Sequence, residues 1–316
     1  MSSCNGIDHR RTTSGGATDL TPVAPWHVHK RHAEEVYLTH WRRTGPDGFH
    51  IRARRPGAHA FYRVGRAFDP LLLCEIVRQT FPLLCHAAYD VPRGHQLIWE
   101  HFGYRVDDAA YAGVDRGPDV TMDVHCFDIS YRGTRPAALS LRAQVRWGDV
   151  PVATAETRFT VQSAAVYRRL RGGYAETGAA MARAVPVPAP DPHALAGRAR
   201  PQDLVLAPAD DDSRQLRVDT THPVYFDHPV DHVPGMILLE AVHQAVGGAD
   251  VSALDCAFHR YVELDAPCTI IAASTEENRE EQRTLITAAQ GDTTRFSADV
   301  TSRAVLVREA TGRAVR

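Results

Sequence analysis

Two carboxylates stand inside apolar runs, where an ionised group is costly unless it is paired or put to use. Glu75 lies in PLLLCEIVRQ (Pro70–Gln79) and Glu240 in GMILLEAVHQ (Gly235–Gln244). Each acid is followed three residues on by a basic side chain, Arg78 or His243, and four residues on by an amide, Gln79 or Gln244. On a helix those spacings bring the three groups together on one face. A carboxylate in an apolar setting gains proton affinity, which suits it to act as a general base when a hydroxyl attacks a carbonyl. Glu240 is the leading candidate, with His243 or Arg78 stabilising an oxyanion or binding an acceptor anion. The helix opening at Pro234-Gly235 presents first-turn N–H groups, Gly235 among them, that favour negative charge. Just before it stand Asp227, His228, Asp231 and His232. These read as turn residues capping the helix or as substrate contacts. No Ser-His-Asp or Cys-His arrangement is visible, so no covalent intermediate on the protein is expected. The loop offers no fixed tetrahedral spacing of metal ligands, and neither a metal nor a cofactor is expected.

The elements that must hold these groups repeat. Asp69-Pro70 reads as a cap and first helical turn, and the apolar segment 71–88 follows, with Pro82 expected to kink or end it. Pro234–Gly247 is the matching helix. Both follow a segment with His, Tyr and Phe, HAFY and HPVYF, read here as strand-like, and both precede a series of strand-length runs rich in Val, Ile, Phe and Tyr. Self-similarity over more than a hundred residues points to two copies of one fold. A helix apolar on nearly all sides must be buried, so the strands that follow must wrap it. The expectation is α+β: a tandem hotdog, each unit a long buried helix sheathed by a curved antiparallel sheet. The divisions are a disordered tail over 1–24, a first hotdog over 25–171, an Ala/Pro/Gly-rich linker over 172–213 and a second hotdog over 214–316.

Composition sets the outer bounds. The chain has 316 residues, 44% of them hydrophobic, and a net charge of −2, so no basic field argues for nucleic acid. Lys30 is the only lysine. Six cysteines show no CxxC spacing, and reduced thiols are expected. No signal core or membrane-length apolar run is seen, which predicts a cytoplasmic protein.

The string FDHPVDHVPGMILLEAVHQA (Phe226–Ala245) resembles the AfsA family, the γ-butyrolactone autoregulator synthases of actinomycetes. VHKRHAEEVYLTHW, HAFY, DPLLLCEIVRQ and HPVYFDHP fit the same resemblance, which covers roughly residues 26–275. More distantly, the helix motif is similar to that of fatty-acid hotdog dehydratases, whose paired His falls on Phe226 here, against simple dehydration.

The resemblance implies an acyltransferase. It would pass a β-ketoacyl group from acyl carrier protein to the hydroxyl of dihydroxyacetone phosphate, toward a butyrolactone, butenolide or furan-type signal. It carries over Glu75 with Arg78 and Glu240 with the position of His243 as functional residues. The family reads EAxRQ where this chain has EAVHQ, which puts the acceptor in question. Two other readings stay open: a dehydratase or thioesterase on acyl thioesters, and a non-catalytic acyl-binding partner. Either a monomer or a homodimer is compatible with a tandem chain.

Overall fold

A computed structural model describes residues 20–62, 69–107, 116–191, 198, 200–210, 213–247, 249–277 and 281–303. Helix α1 spans Pro70–Ala87. Asp69 caps it, its Oδ1 accepting from the Leu71 N–H at 2.9 Å. The helix runs on through Pro82 instead of stopping there. A proline inside a helix costs about 3 kcal/mol. Leu83, Leu84 and Cys85, all fully buried, recover about 1.5–3 kcal/mol for each large apolar side chain, so packing holds the last turn. Two short helices follow the first set of strands, α2 (Ala164–Arg171) and α3 (Thr177–Ala182). Helix α4 spans Gly235–Ala245, with every residue from Met236 to Gln244 buried.

The strands are β1 (Thr21–Pro22), β2 (Leu38–Arg43), β3 (Gly48–Arg54), β4 (Gln96–Val106), β5 (Asp119–Arg132), β6 (Arg135–Trp147) and β7 (Val150–Gln162) in the first part of the chain. Then come β8 (Leu206–Pro208), β9 (Ser213–Leu216), β10 (Val251–Phe258), β11 (Thr269–Glu277), β12 (Glu281–Gln290) and β13 (Thr293–Arg303). They form one sheet in the order β1-β2-β3-β5-β6-β7-β4-β10-β13-β12-β11-β9-β8. Apart from β1 the order is a palindrome: β2, β3, β5, β6, β7 and β4 occupy the places of β8, β9, β11, β12, β13 and β10. The halves meet at an antiparallel seam where Tyr104 of β4 faces Leu254 of β10. Helices α1 and α4 pack on the sheet and on each other, and a single apolar core takes in both. This is the tandem hotdog, its repeats related by an approximate two-fold at the seam.

Local readings shift in three places. Thr21 and Pro22, inside the expected tail, pair with Trp41 and His40; residues 1–19 lie outside the described residues. The expected linker holds α3, β8 and the start of β9, so elements of the second repeat begin before residue 214. HAFY and the start of HPVYF are turns, not strands. His59 Nδ1 accepts from the Phe61 and Tyr62 N–H groups at 3.0 Å each, and His222 Nδ1 from Val224 and Tyr225 at 3.3 and 3.4 Å. A side chain that takes two backbone donors removes them from any ladder. Among the described residues no helix is long and apolar enough to cross a membrane.

Candidate active site

Glu75 is 1% exposed and every one of its oxygens is engaged. Arg78 forks onto it, Nε to Oε2 and Nη2 to Oε1, both at 2.7 Å. Gln79 Nε2 donates to Oε1 at 2.8 Å, and Lys30 Nζ lies 3.2 Å from Oε1. Burial pushes this carboxyl up, but Arg78 and Lys30 together outweigh it and hold the group at about 2. Gln79 also ties the helix to the chain before β2: its Nε2 donates to the Glu35 carbonyl at 2.7 Å and its Oε1 accepts from the Tyr37 N–H at 3.0 Å. Glu35 in turn meets His59 at 3.0 Å.

The second repeat rebuilds this network bond for bond. Gln244 Nε2 donates to Glu240 Oε1 at 2.7 Å and to the Asp203 carbonyl at 2.9 Å, while its Oε1 accepts from the Val205 N–H at 2.9 Å. Asp203 meets His222 at 3.1 Å. Lys30 stands five residues before Glu35, and Arg198 stands five before Asp203. Arg198 is therefore the counterpart of Lys30, and it too reaches the helix carboxylate.

The two repeats differ in what surrounds that carboxylate. Arg198 covers Glu240 with a fork, Nε to Oε1 at 2.8 Å and Nη2 to Oε2 at 2.7 Å. Its Nη1 donates to Asp69 Oδ2 at 2.9 Å and to the Phe61 carbonyl at 3.0 Å. The guanidinium lies 4.2 Å over the Phe61 ring. Burial raises the Glu240 carboxyl, and Arg198, shared with Asp69, does not bring it back down. His243 does not take the place of Arg78. Its Nε2 lies 2.9 Å from the Tyr104 hydroxyl on β4.

A cavity of about 790 Å³ opens beside Glu75. Lys30, Glu75, Arg78 and His228 form its charged end, and Pro234 and Gly235 bring the start of α4 to its wall. Phe81, Trp99, Met236 and Phe258 line an apolar side. Trp99 and Phe258 stack at 4.8 Å and 11°. They press on Gly235: a Cβ there would lie 2.9 Å from Trp99 Cε3 and 3.1 Å from Phe258 Cε1. Glycine is needed at that helix start because two rings occupy the space. Tyr225 also lines the cavity, and its buried hydroxyl has no partner among the described residues.

Of the sequence candidates, Glu75, Arg78, His228, His232 and Gly235 line this cavity; Glu240, His243, Gln79, Gln244 and Asp231 do not. Sequence reasoning passed over Lys30, Tyr225, Tyr167 and Arg198. Lys30 carried a signal as the chain's only lysine, and Arg198 could have been found by aligning Lys30–Leu38 with Arg198–Leu206.

Each Asp of the pre-helix loop holds its neighbouring His. Asp227 accepts from the Arg31 and His32 N–H groups at 2.7 and 3.2 Å and lies 3.5 Å from His228 Nδ1. Asp231 Oδ1 lies 2.7 Å from His232 Nδ1 and accepts from the Tyr167 hydroxyl. Arg171 of α2 donates to Asp231 at 3.2 Å and to Glu263 at 2.8 Å.

A family model described as the A-factor biosynthesis hotdog domain matches residues 12–163 and 180–306. A 2-oxo-3-(phosphooxy)propyl 3-oxoalkanoate synthase of Streptomyces virginiae is 40% identical over 288 residues, covering 87% of this chain and 96% of its own. A synthase of the same name from Streptomyces griseus subsp. griseus is 36% identical over 304 residues, covering 92% and 95%. Among solved structures, an oleoyl thioesterase (putative) from Lactobacillus plantarum aligns with a TM-score of 0.50 at 15% identity over 81% of this chain and 96% of its own, a likeness of fold alone.

Proposed function

The chain belongs to the AfsA family of A-factor biosynthesis hotdog proteins, and from that premise we propose how its cavity makes an ester. Like the relatives whose names describe that product, the enzyme is an acyltransferase that joins a 3-oxoacyl group to a phosphorylated three-carbon acceptor. The donor is the thioester of acyl carrier protein and the acceptor is dihydroxyacetone phosphate.

One observation carries the reading: a single cavity has a cationic end built on Glu75 and an apolar side that begins at the α4 N-terminus. Arg78 and Lys30, held in place by Glu75, take the acceptor phosphate, Arg78 through the N–H groups that its fork onto Glu75 leaves over and Lys30 through its ammonium. His228 and Asp227 line the same end, and Asp227 is held by the Arg31 and His32 N–H groups. The thioester carbonyl sits against the Gly235 N–H, where the helix dipole and an unsatisfied donor stabilise a tetrahedral oxyanion. The alkyl chain runs along Phe81, Trp99, Met236 and Phe258, and the Tyr225 hydroxyl is available to a substrate oxygen. The Glu240 position, plugged by Arg198, holds the repeats together.

The test is to incubate the purified protein with a 3-oxoacyl thioester and dihydroxyacetone phosphate and to follow products by mass spectrometry. The phosphorylated ester is the expected product. Free acid alone would indicate a thioesterase, and binding without turnover a non-catalytic partner.

A further inference from the structure

Ester formation needs a group that takes the proton of the acceptor hydroxyl, and the obvious carboxylate is a poor choice. Glu75 has its oxygens occupied by Arg78, Gln79 and Lys30, and two cations keep it deprotonated with little proton affinity. Glu240 does not reach the cavity. His29 is engaged with His86 at 2.7 Å. Burial disfavours the protonated form of His228, and Arg78 and Lys30 add to it against the pull of Asp227, so it is the weaker choice to accept a proton.

His232 differs in the closeness of its carboxylate and in having no cation of the Glu75 cluster among its contacts. It lines the cavity and lies three residues before Gly235. Its Nδ1 is 2.7 Å from Asp231. That carboxylate is ionised, at about 2: burial pushes it up, but His232, Tyr167 and Arg171 outweigh it. An ionised carboxylate only accepts, so the proton of neutral His232 sits on Nδ1 and Nε2 carries the lone pair. Asp231 is itself fixed by the Tyr167 hydroxyl at 2.8 Å and by Arg171, which Glu263 anchors. The Tyr261 ring stands edge-on to the imidazole at 4.7 Å. From the loop, from α2 and from the segment after β10, the charged groups around this ring are thus Asp231, Arg171 and Glu263, with the hydroxyls of Tyr167 and Tyr261. A base held in one tautomer by an anchored carboxylate is the arrangement that activates hydroxyl nucleophiles in unrelated folds.

Resting on the acyl-transfer reading above, we propose that His232, oriented by Asp231, is the general base of the reaction. Nε2 takes the proton of the acceptor's primary hydroxyl as its oxygen bonds to the thioester carbonyl carbon. The tetrahedral oxyanion collapses, the C–S bond breaks, and the imidazolium returns the proton to the departing thiolate. The products are ester and free thiol, and His232 is regenerated neutral. Asp231 is a positioning residue.

The experiment compares unmodified protein with His232→Ala, His232→Gln and His228→Ala, each checked for folding by circular dichroism. It measures ester formation at saturating substrates with and without added imidazole. The expected result is a loss of kcat of about a hundredfold or more in both His232 variants, little change in KM, and partial recovery of His232→Ala by imidazole. Full turnover by a folded His232→Gln overturns the assignment, as does imidazole rescue of His228→Ala with none for His232→Ala. No ester from the unmodified protein overturns the acyl-transfer reading, and the base with it.

Discussion

Arg198 lies across Glu240 as Arg78 lies across Glu75, each guanidinium bonding both carboxylate oxygens at 2.7–2.8 Å. The first fork comes from one turn further along the same helix and leaves a cavity beside it. The second comes from 42 residues away in sequence and reaches on to the Phe61 carbonyl. Two like networks therefore serve different ends.

Arg198→Ala strands two buried carboxylates, Glu240 and Asp69, without their shared cation. Breaking a buried pair from one side costs about 3–5 kcal/mol. The urea midpoint should fall accordingly, and Arg198→Lys, which cannot form the fork onto Glu240, should recover only part. A midpoint within error of the parent protein would refute the clamp.

Glu75→Gln and Glu240→Gln should separate function from stability. The first loosens the seats of Arg78 and Lys30 beside the cavity and should lower kcat/KM for ester formation by about tenfold to a hundredfold, equivalent to roughly 1.4–2.8 kcal/mol. The second leaves Arg198 short of an anion and should lower stability with turnover within about threefold. Steady-state kinetics and denaturation on the same preparations check both; the reverse pattern would make Glu240 the working acid.

Lys30→Ala removes a cation from the phosphate end of the cavity. The KM for the phosphorylated acceptor should rise about tenfold or more, with the thioester KM little changed. An equal rise for both substrates would place the phosphate elsewhere.

Gly235→Ala and Tyr225→Phe probe the cavity wall in opposite ways. The new Cβ meets two stacked rings at 2.9–3.1 Å, and such overpacking costs about 1–3 kcal/mol, so both melting temperature and acyl-chain preference should shift. Removing the Tyr225 hydroxyl, which has no hydrogen-bond partner among the described residues, should leave the melting temperature unchanged or higher while ester formation slows. A drop in melting temperature for Tyr225→Phe would argue that the hydroxyl is structural.

Acid should weaken the fold through Glu75 and Asp231. Both carboxyls sit at about 2, below their ordinary 4.5 and 3.8. A depressed carboxyl holds its proton less well folded than unfolded, so its contribution is complete above the ordinary value and is lost as pH falls toward 2. For Glu75 that contribution is on the order of 3 kcal/mol. Glu75→Gln should flatten the fall of unfolding free energy between about pH 5 and pH 2; an unaltered slope counts against the pairing.

The sequence by itself determined the two rods and their wrapping. Pro and Gly at the helix starts, apolar residues around each circumference, and the matched Glu and Gln are local patterns, and a local pattern can be read without coordinates. It also fixed the family, because FDHPVDHVPGMILLEA is a long contiguous string. What it left open was the surroundings of each acid. That was decided by the two-fold at the β4–β10 seam, which sets the start of α4 beside Glu75 and brings Arg198 onto Glu240. HAFY and HPVY likewise looked like strands until His59 and His222 took their backbone donors. Pairing between side chains distant in the chain leaves no periodicity to detect; Coulomb attraction and burial choose it only once the sheet has closed and the dielectric around those charges has fallen.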